Sequence, residues 1–191
     1  MQFTTFGNKS RQGSYLLLID LSAPVQVSFG RFMGGREIPL DRGCYLYVGS
    51  ALGSRPGSFP LASRLLRHAS RSGERPPHAL RERLVQQLES SGFEPKRGIS
   101  CKRLHWHIDY LLDIPEAELA HIVMVMGPSR LEHPLAELVA STPGASPVAE
   151  RLGAQDAAAG THLFFIADPT DVLERLTTGI ESCIRDAEQA S

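Results

Sequence analysis

The chain has 191 residues, 20 basic and 21 acidic side chains and a formal net charge of -1 at pH 7. Hydrophobic residues make up 42% and charged residues 21%, which fits a folded globular protein and excludes a disordered chain. A chain of this size buries roughly 70% of its unfolded surface and needs neither a disulfide nor a metal to fold.

The balanced total hides a segregation of charge. Residues 54–103 carry 11 basic and 4 acidic side chains, whereas residues 104–191 carry 4 basic and 14 acidic ones. A concentrated basic stretch is the electrostatic footprint of a polyanion partner, or else a solvated arginine-rich helix face. Cys44, Cys101 and Cys183 are odd in number and widely spaced, which suggests reduced thiols rather than a disulfide framework. Residues 1–11 are polar, without the apolar core of a signal peptide. The longest apolar runs, 15–19 and 122–126, are far shorter than the roughly 20 residues that span a bilayer. These features predict a cytoplasmic protein with no membrane partner.

In chain order, the apolar run 14–21 reads as a buried strand. Val25, Val27 and Phe29 alternate with polar residues, the period of a half-buried strand, and Gly30, Gly34 and Gly35 mark turns. Residues 44–49 read as a third strand of an antiparallel start, closed by a glycine- and proline-rich loop. A helix is expected over 61–71, with Leu61, Leu65, Leu66 and Ala69 inside and Arg64, Arg67, His68 and Arg71 on the opposite face. A linker, a second amphipathic helix over 78–90 and a basic loop over 91–103 follow, as a flexible elaboration of the core. Residues 108–112 suit either a strand or a helix. The remainder reads as a strand over 118–126, a helix over 131–140, a long loop over 141–159, a strand over 161–166 and a C-terminal helix. The expected fold is a single α+β domain over 1–191: a small central antiparallel sheet flanked by helices. Its core spans about 13–166, with a basic insertion at 72–101 and a helix at 170–188.

Several chemistry-bearing residues are each unremarkable alone. Tyr15 opens a strand and Tyr47 closes one, where a tyrosine is most often core. Arg64 and His68 are four residues apart on a helix, and Glu132 sits at a helix start, which the macrodipole favours. His105, His107 and Asp109 would share one face of a strand, a two-histidine-one-carboxylate metal pattern, but not one face of a helix.

Taken in order, these residues resemble the GIY-YIG nuclease superfamily, and within it the prokaryotic branch called Uri superfamily endonucleases. Gly13-Ser14-Tyr15-Leu16-Leu17-Leu18 is similar to the first motif, and Cys44-Tyr45-Leu46-Tyr47-Val48-Gly49-Ser50-Ala51 to the second. Arg64-Leu65-Leu66-Arg67-His68 resembles the arginine helix. The string from His105 to Leu112 resembles a signature of the branch, and Gly160 to Phe165 its last strand. Where the branch often carries a cysteine after the glutamate, His133 stands here.

The resemblance implies a three-stranded antiparallel core and hydrolysis of phosphodiester bonds in nucleic acid, DNA rather than RNA, with one Mg²⁺ or Mn²⁺. It implies catalytic roles for Tyr15, Tyr47, Arg64, His68 and Glu132. Of these, Arg64 would hold the scissile phosphate and Glu132 the metal. A tyrosine acting on water at neutral pH would need a nearby cation, because its ordinary pKa is about 10. Gly49, Ser50, Arg67, Arg71, His107 and His162 would contact substrate. The alternative is a nucleic-acid-binding module of the same fold that does not cleave.

Overall fold

The computed structural model of the chain describes residues 2–8, 10–53, 55, 57–93, 102–153 and 160–189. Its centre is β2 (Gly13–Leu21), buried along nearly its whole length. Both faces of this strand are covered, so it reads as a continuous apolar run rather than an alternating one. Tyr15, Leu17, Ile19 and Leu21 enter one core, whereas Leu16 and Leu18 enter a second core on the other side.

Antiparallel β5 (Gly43–Ala51) and β6 (Ala117–Met126) flank β2. β6 shifts register opposite Leu18/Ile19. Ala117 and Leu119 before the shift, and Ile122 and Met124 after it, therefore all reach the first core despite the change of parity. β1 (Phe3–Gly7) adds to the outer edge of β6 in parallel, and β8 (Leu163–Ile166) and β7 (Ala145–Pro147) extend the edge beyond β5. The six-stranded sheet has the order β1-β6-β2-β5-β8-β7; its centre is antiparallel, as expected, and the added edge strand β1 makes it mixed.

β3 (Val25–Ser28) does not join that sheet as expected. It pairs with β4 (Glu37–Leu40) in a separate hairpin. Leu135, Ala136 and Val139 of α4 (Glu132–Ser141) and Val172, Leu176 and Ile180 of α5 (Pro169–Gln189) fill the second core. No helix among the described residues is long and apolar enough to cross a membrane.

The first core lies under α1 (Pro60–His68), α2 (Arg81–Glu89) and α3 (His107–Leu111). The segment around α2 is no loose elaboration where it is described. Leu80, Leu84 and Leu88 pack into the same core as Tyr15 and Leu65. His78 is buried, donating through Nε2 to the Leu112 carbonyl at 2.9 Å and accepting the Leu119 N–H at Nδ1 at 3.1 Å. Residues 94–101 of the expected basic loop, Cys101 among them, and residues 154–159 lie outside the described residues.

Candidate functional site

The register of β2 and β5 places the two tyrosines. Tyr15 lies opposite Gly49 and Leu17 opposite Tyr47, so Tyr15 and Tyr47 are diagonal neighbours on one face, with ring centroids 6.4 Å apart. Gly49 makes room for this arrangement: a Cβ there would stand 2.5 Å from the Cζ and hydroxyl of Tyr15. The sequence points this glycine at substrate, whereas in the fold it admits the Tyr15 ring. Gly49→Ala should cost about 1–3 kcal/mol by overpacking and push Tyr15 off its partner. Urea denaturation of the variant measures the cost.

That partner is His68. Its Nε2 and the Tyr15 hydroxyl share a hydrogen bond of 2.9 Å. Helix periodicity puts His68 on the solvated face with Arg64, but the side chain is fully buried alongside Leu61 and Leu65. Position 68 is three residues from Leu65 as well as four from Arg64, so it lies on the border of the two faces. A neutral imidazole can be buried there because it has partners.

His68 Nδ1 faces Asp109 Oδ1 at 3.4 Å, longer than an ordinary hydrogen bond. The other oxygen, Oδ2, accepts from Arg67 at 2.8 Å, from the His105 N–H at 3.0 Å and from the Trp106 N–H at 3.1 Å. Lys102 Nζ stands 3.8 Å from Oδ1 and donates to the Ser70 carbonyl at 2.7 Å.

Burial governs the protonation of the tyrosines and of His68. It lifts the Tyr15 hydroxyl well above its usual range, against the nearby Arg64 charge, and it raises Tyr47 likewise. Burial also depresses His68 to about 4, despite Asp109. For Asp109, burial is overcome by the facing His68 ring, the Arg67 hydrogen bond and the nearby Lys102 charge, and the carboxyl is held below the usual range. At neutral pH the set is therefore a neutral tyrosine, a neutral imidazole and a fixed carboxylate.

Glu132 opens α4, whose preceding Leu131 N–H is tied to Ser14 Oγ of β2 at 3.2 Å. Ser50 donates to Glu132 Oε2, and His162 Nδ1 stands 3.2 Å from Oε1. The facing His162 ring and the Ser50 hydrogen bond outweigh partial burial and hold the Glu132 carboxyl below its usual range. The side chain stays 21% exposed. The Glu132 charge adds to the raising of both tyrosine hydroxyls, although its partner Ser50 stands opposite Ser14, on the alternate face of the strands from Tyr15 and Tyr47. The chain at Gly153 passes over this wall: a Cβ there would meet His162 at 2.8 Å and Tyr47 at 3.3 Å. His107 Nδ1 accepts the Gly153 N–H at 3.0 Å, and its ring packs on Phe32.

The arginines divide by what they touch. The Arg64 guanidinium carbon lies over the Trp106 ring, 3.5 Å from its centroid, and the side chain is half-buried. Arg67 sits 4.9 Å from the same ring, and Asp109 and the Arg103 carbonyl engage its NH2 group. Arg71, expected to meet substrate, is turned inward. Its side chain is 7% exposed and is bound by the carbonyls of Pro76 and Ala117 and by Glu118. Arg71 thus presents no free fork to a phosphate.

Residues 107–111 form a helix, which separates the histidine–carboxylate trio. Asp109 turns back to cap the chain at His105 and Trp106, and His107 holds Gly153. Among the described residues, no group of three or more His, Cys, Asp or Glu side chains could hold a metal ion. Sequence reasoning misses the pairing of Asp109 with His68 and of Trp106 with Arg64. The available signal is the position of Asp109 three residues after Trp106, which suits a helix N-terminal cap.

A family model described as "Domain of unknown function DUF123" matches residues 14–185. No curated protein and no solved structure matches the chain.

Proposed function

We propose that this chain, which belongs to the DUF123 family, is an endonuclease that hydrolyses phosphodiester bonds in nucleic acid with the help of one divalent cation. The carrying observation is the Tyr15 hydroxyl, which is bonded to a neutral imidazole and lies within the fields of Arg64 and Glu132. The resemblance of the motifs around Tyr15, Tyr47 and Arg64 to GIY-YIG nucleases, in their Uri branch, supports the same chemistry. The proposed substrate is DNA, and the proposed location is the cytoplasm.

Arg64, held over the Trp106 ring, offers a guanidinium fork to the phosphate. Burial keeps Tyr15 protonated, so it is not a free tyrosinate waiting for substrate. It works instead as a relay. The attacking water gives a proton to the Tyr15 oxygen as Tyr15 passes its own proton to His68 Nε2. The resulting hydroxide forms a new P–O bond. The P–O bond to the leaving oxygen breaks with its electron pair, and solvent protonates that oxygen. The imidazolium formed at His68 faces the Asp109 carboxylate.

Glu132 fits a one-carboxylate cation site, because its carboxylate is ionised, oriented by Ser50 and His162, and partly exposed. Mg²⁺ or Mn²⁺ would be held here through the Glu132 carboxylate. Such an ion supplies Lewis-acid stabilisation of charge on the phosphate.

Arg64→Ala and Glu132→Ala should each lower Mg²⁺- or Mn²⁺-dependent cleavage of DNA by about 10²–10³-fold. Both variants should keep the wild-type circular dichroism spectrum. Cleavage unchanged in both would remove the assignment. The burial of both tyrosine hydroxyls favours a second reading, a binding module without turnover. That reading expects salt-sensitive retention of DNA and no products with either metal.

A further inference from the structure

We infer that Asp109 is a positioning residue: it fixes His68 in the Nδ1–H tautomer, so that Nε2 accepts the Tyr15 proton and the Tyr15 oxygen keeps its lone pairs for donors in the site. The relay chemistry rests on the nuclease reading, but the tautomer itself does not.

The donors and acceptors around two buried groups fix the arrangement. Asp109 Oδ2 is saturated by Arg67 and two backbone N–H groups. Oδ1 has no hydrogen bond of good geometry and faces His68 Nδ1 at 3.4 Å and Lys102 Nζ at 3.8 Å. A lone pair on Nδ1 would confront that carboxylate oxygen inside a fully buried cluster. A proton on Nδ1 turns the contact into an attraction and gives both atoms a partner. The tautomer of a histidine is set in this way by what its other nitrogen meets.

The opposite side of the ring demands the same arrangement. The Arg64 charge acts on the Tyr15 hydroxyl, and a guanidinium has no acceptor to offer its proton. The Tyr15 proton must therefore point elsewhere, and His68 Nε2 at 2.9 Å is the acceptor in reach. An imidazolium at rest would aim a second donor at the Tyr15 oxygen and leave the hydroxyl proton without a place. The charged groups acting on His68 are Asp109, Arg64 and Lys102, and both cations disfavour a positive ring. Asp109 also comes from a different element than His68 and Tyr15. Its own bonds to the chain before α3 hold it still when the proton moves.

The test is ¹⁵N NMR of the histidine rings in the intact wild-type protein at pH 7, with the His68 signals identified by their loss in His68→Gln. The expected spectrum has a pyrrole-like Nδ1 and a pyridine-like Nε2. The opposite pattern, or two protonated nitrogens, would overturn the proposal. Tyr15→Phe, which removes only a hydroxyl, should leave that pattern in place because Asp109 sets it. A switch to Nε2–H in this variant would show that Tyr15 sets the tautomer and overturn the proposal. In Asp109→Asn the side-chain amide can donate to Nδ1, so Nε2–H should become populated and cleavage should fall by about 10²-fold or more. A folded Asp109→Asn protein that keeps the wild-type tautomer would overturn the proposal even if its activity fell. The expected tautomer in a wild-type protein that cuts no DNA would remove the nuclease reading and leave the role of Asp109 intact. Cleavage alongside the opposite tautomer would do the reverse.

Discussion

Asp109→Ala should lower the stability of the protein by about 3–5 kcal/mol, the cost typical of removing one member of a buried ionic set. The carboxylate is fully buried and meets Arg67, His68, Lys102 and two backbone N–H groups. Truncation removes the anion while the buried donors stay behind. The guanidinium of Arg67 keeps about a quarter of its side-chain surface in water, so it loses less than Lys102, which is 3% exposed. The two N–H groups before α3 lose their acceptor as well, but they belong to exposed His105 and half-buried Trp106, so Lys102 carries more of the cost. Urea unfolding followed by circular dichroism reads the loss as a lower midpoint at an unchanged slope. The control is Arg175→Ala on α5, where an exposed i,i+4 pair with Asp171 is lost. Such a pair is screened by water and its removal should leave the midpoint where it was. A midpoint for Asp109→Ala equal to that of the control would mean that the buried cluster does not hold the fold together.

The tyrosine positions are legible in the sequence because they sit in continuous apolar runs that read as buried strands, and because the resemblance ties Tyr15, Tyr47, Arg64 and Glu132 into one order. The strand pairing then brings Tyr15 and Tyr47 together. β1 escapes because five residues with two exposed positions carry little pattern, and their partner strand lies more than a hundred residues on. β4 escapes because Pro39 interrupts it, which a short hairpin strand tolerates and a central strand does not. His68 is misplaced for a different reason. Spacing along a helix says which residues are neighbours, but not which face finds a carboxylate. The carboxylate that stabilises its burial is 41 residues away, and helix periodicity carries no information about it. Arg71 fails in the same way, since Glu118 and the Ala117 carbonyl draw it inward from another element.

Two buried histidines should make the protein acid-labile well above the carboxylate range. His68 and His78 are each depressed by burial to about 4, against an ordinary value near 6.5. The unfolded chain takes up a proton at each histidine as pH falls through 6.5, whereas the folded chain refuses until about pH 4. The unfolded state binds more protons throughout this window, so stability rises with pH across it and falls on acidification. Each histidine contributes a loss of up to about 3 kcal/mol by pH 4, because every tenfold difference in proton affinity between the two states is worth about 1.4 kcal/mol. Two such losses are comparable to the whole stability of a typical domain, about 5–15 kcal/mol. Asp109, Asp113 and Glu132, whose folded pKa values are lowered, act in the same direction further down. Their contribution is present above the unfolded carboxylate range and is lost as pH falls through the folded values. Urea midpoints measured from pH 7.5 to 4 should therefore be flat above about pH 7 and fall steeply between 6.5 and 4. His68→Gln removes one titrating ring and should make that slope shallower, even though the variant starts from a lower midpoint. A wild-type midpoint that holds constant down to about pH 4.5 would mean that these rings accept protons while folded. His68 could not then stand beside Tyr15 as the neutral base on which the relay depends.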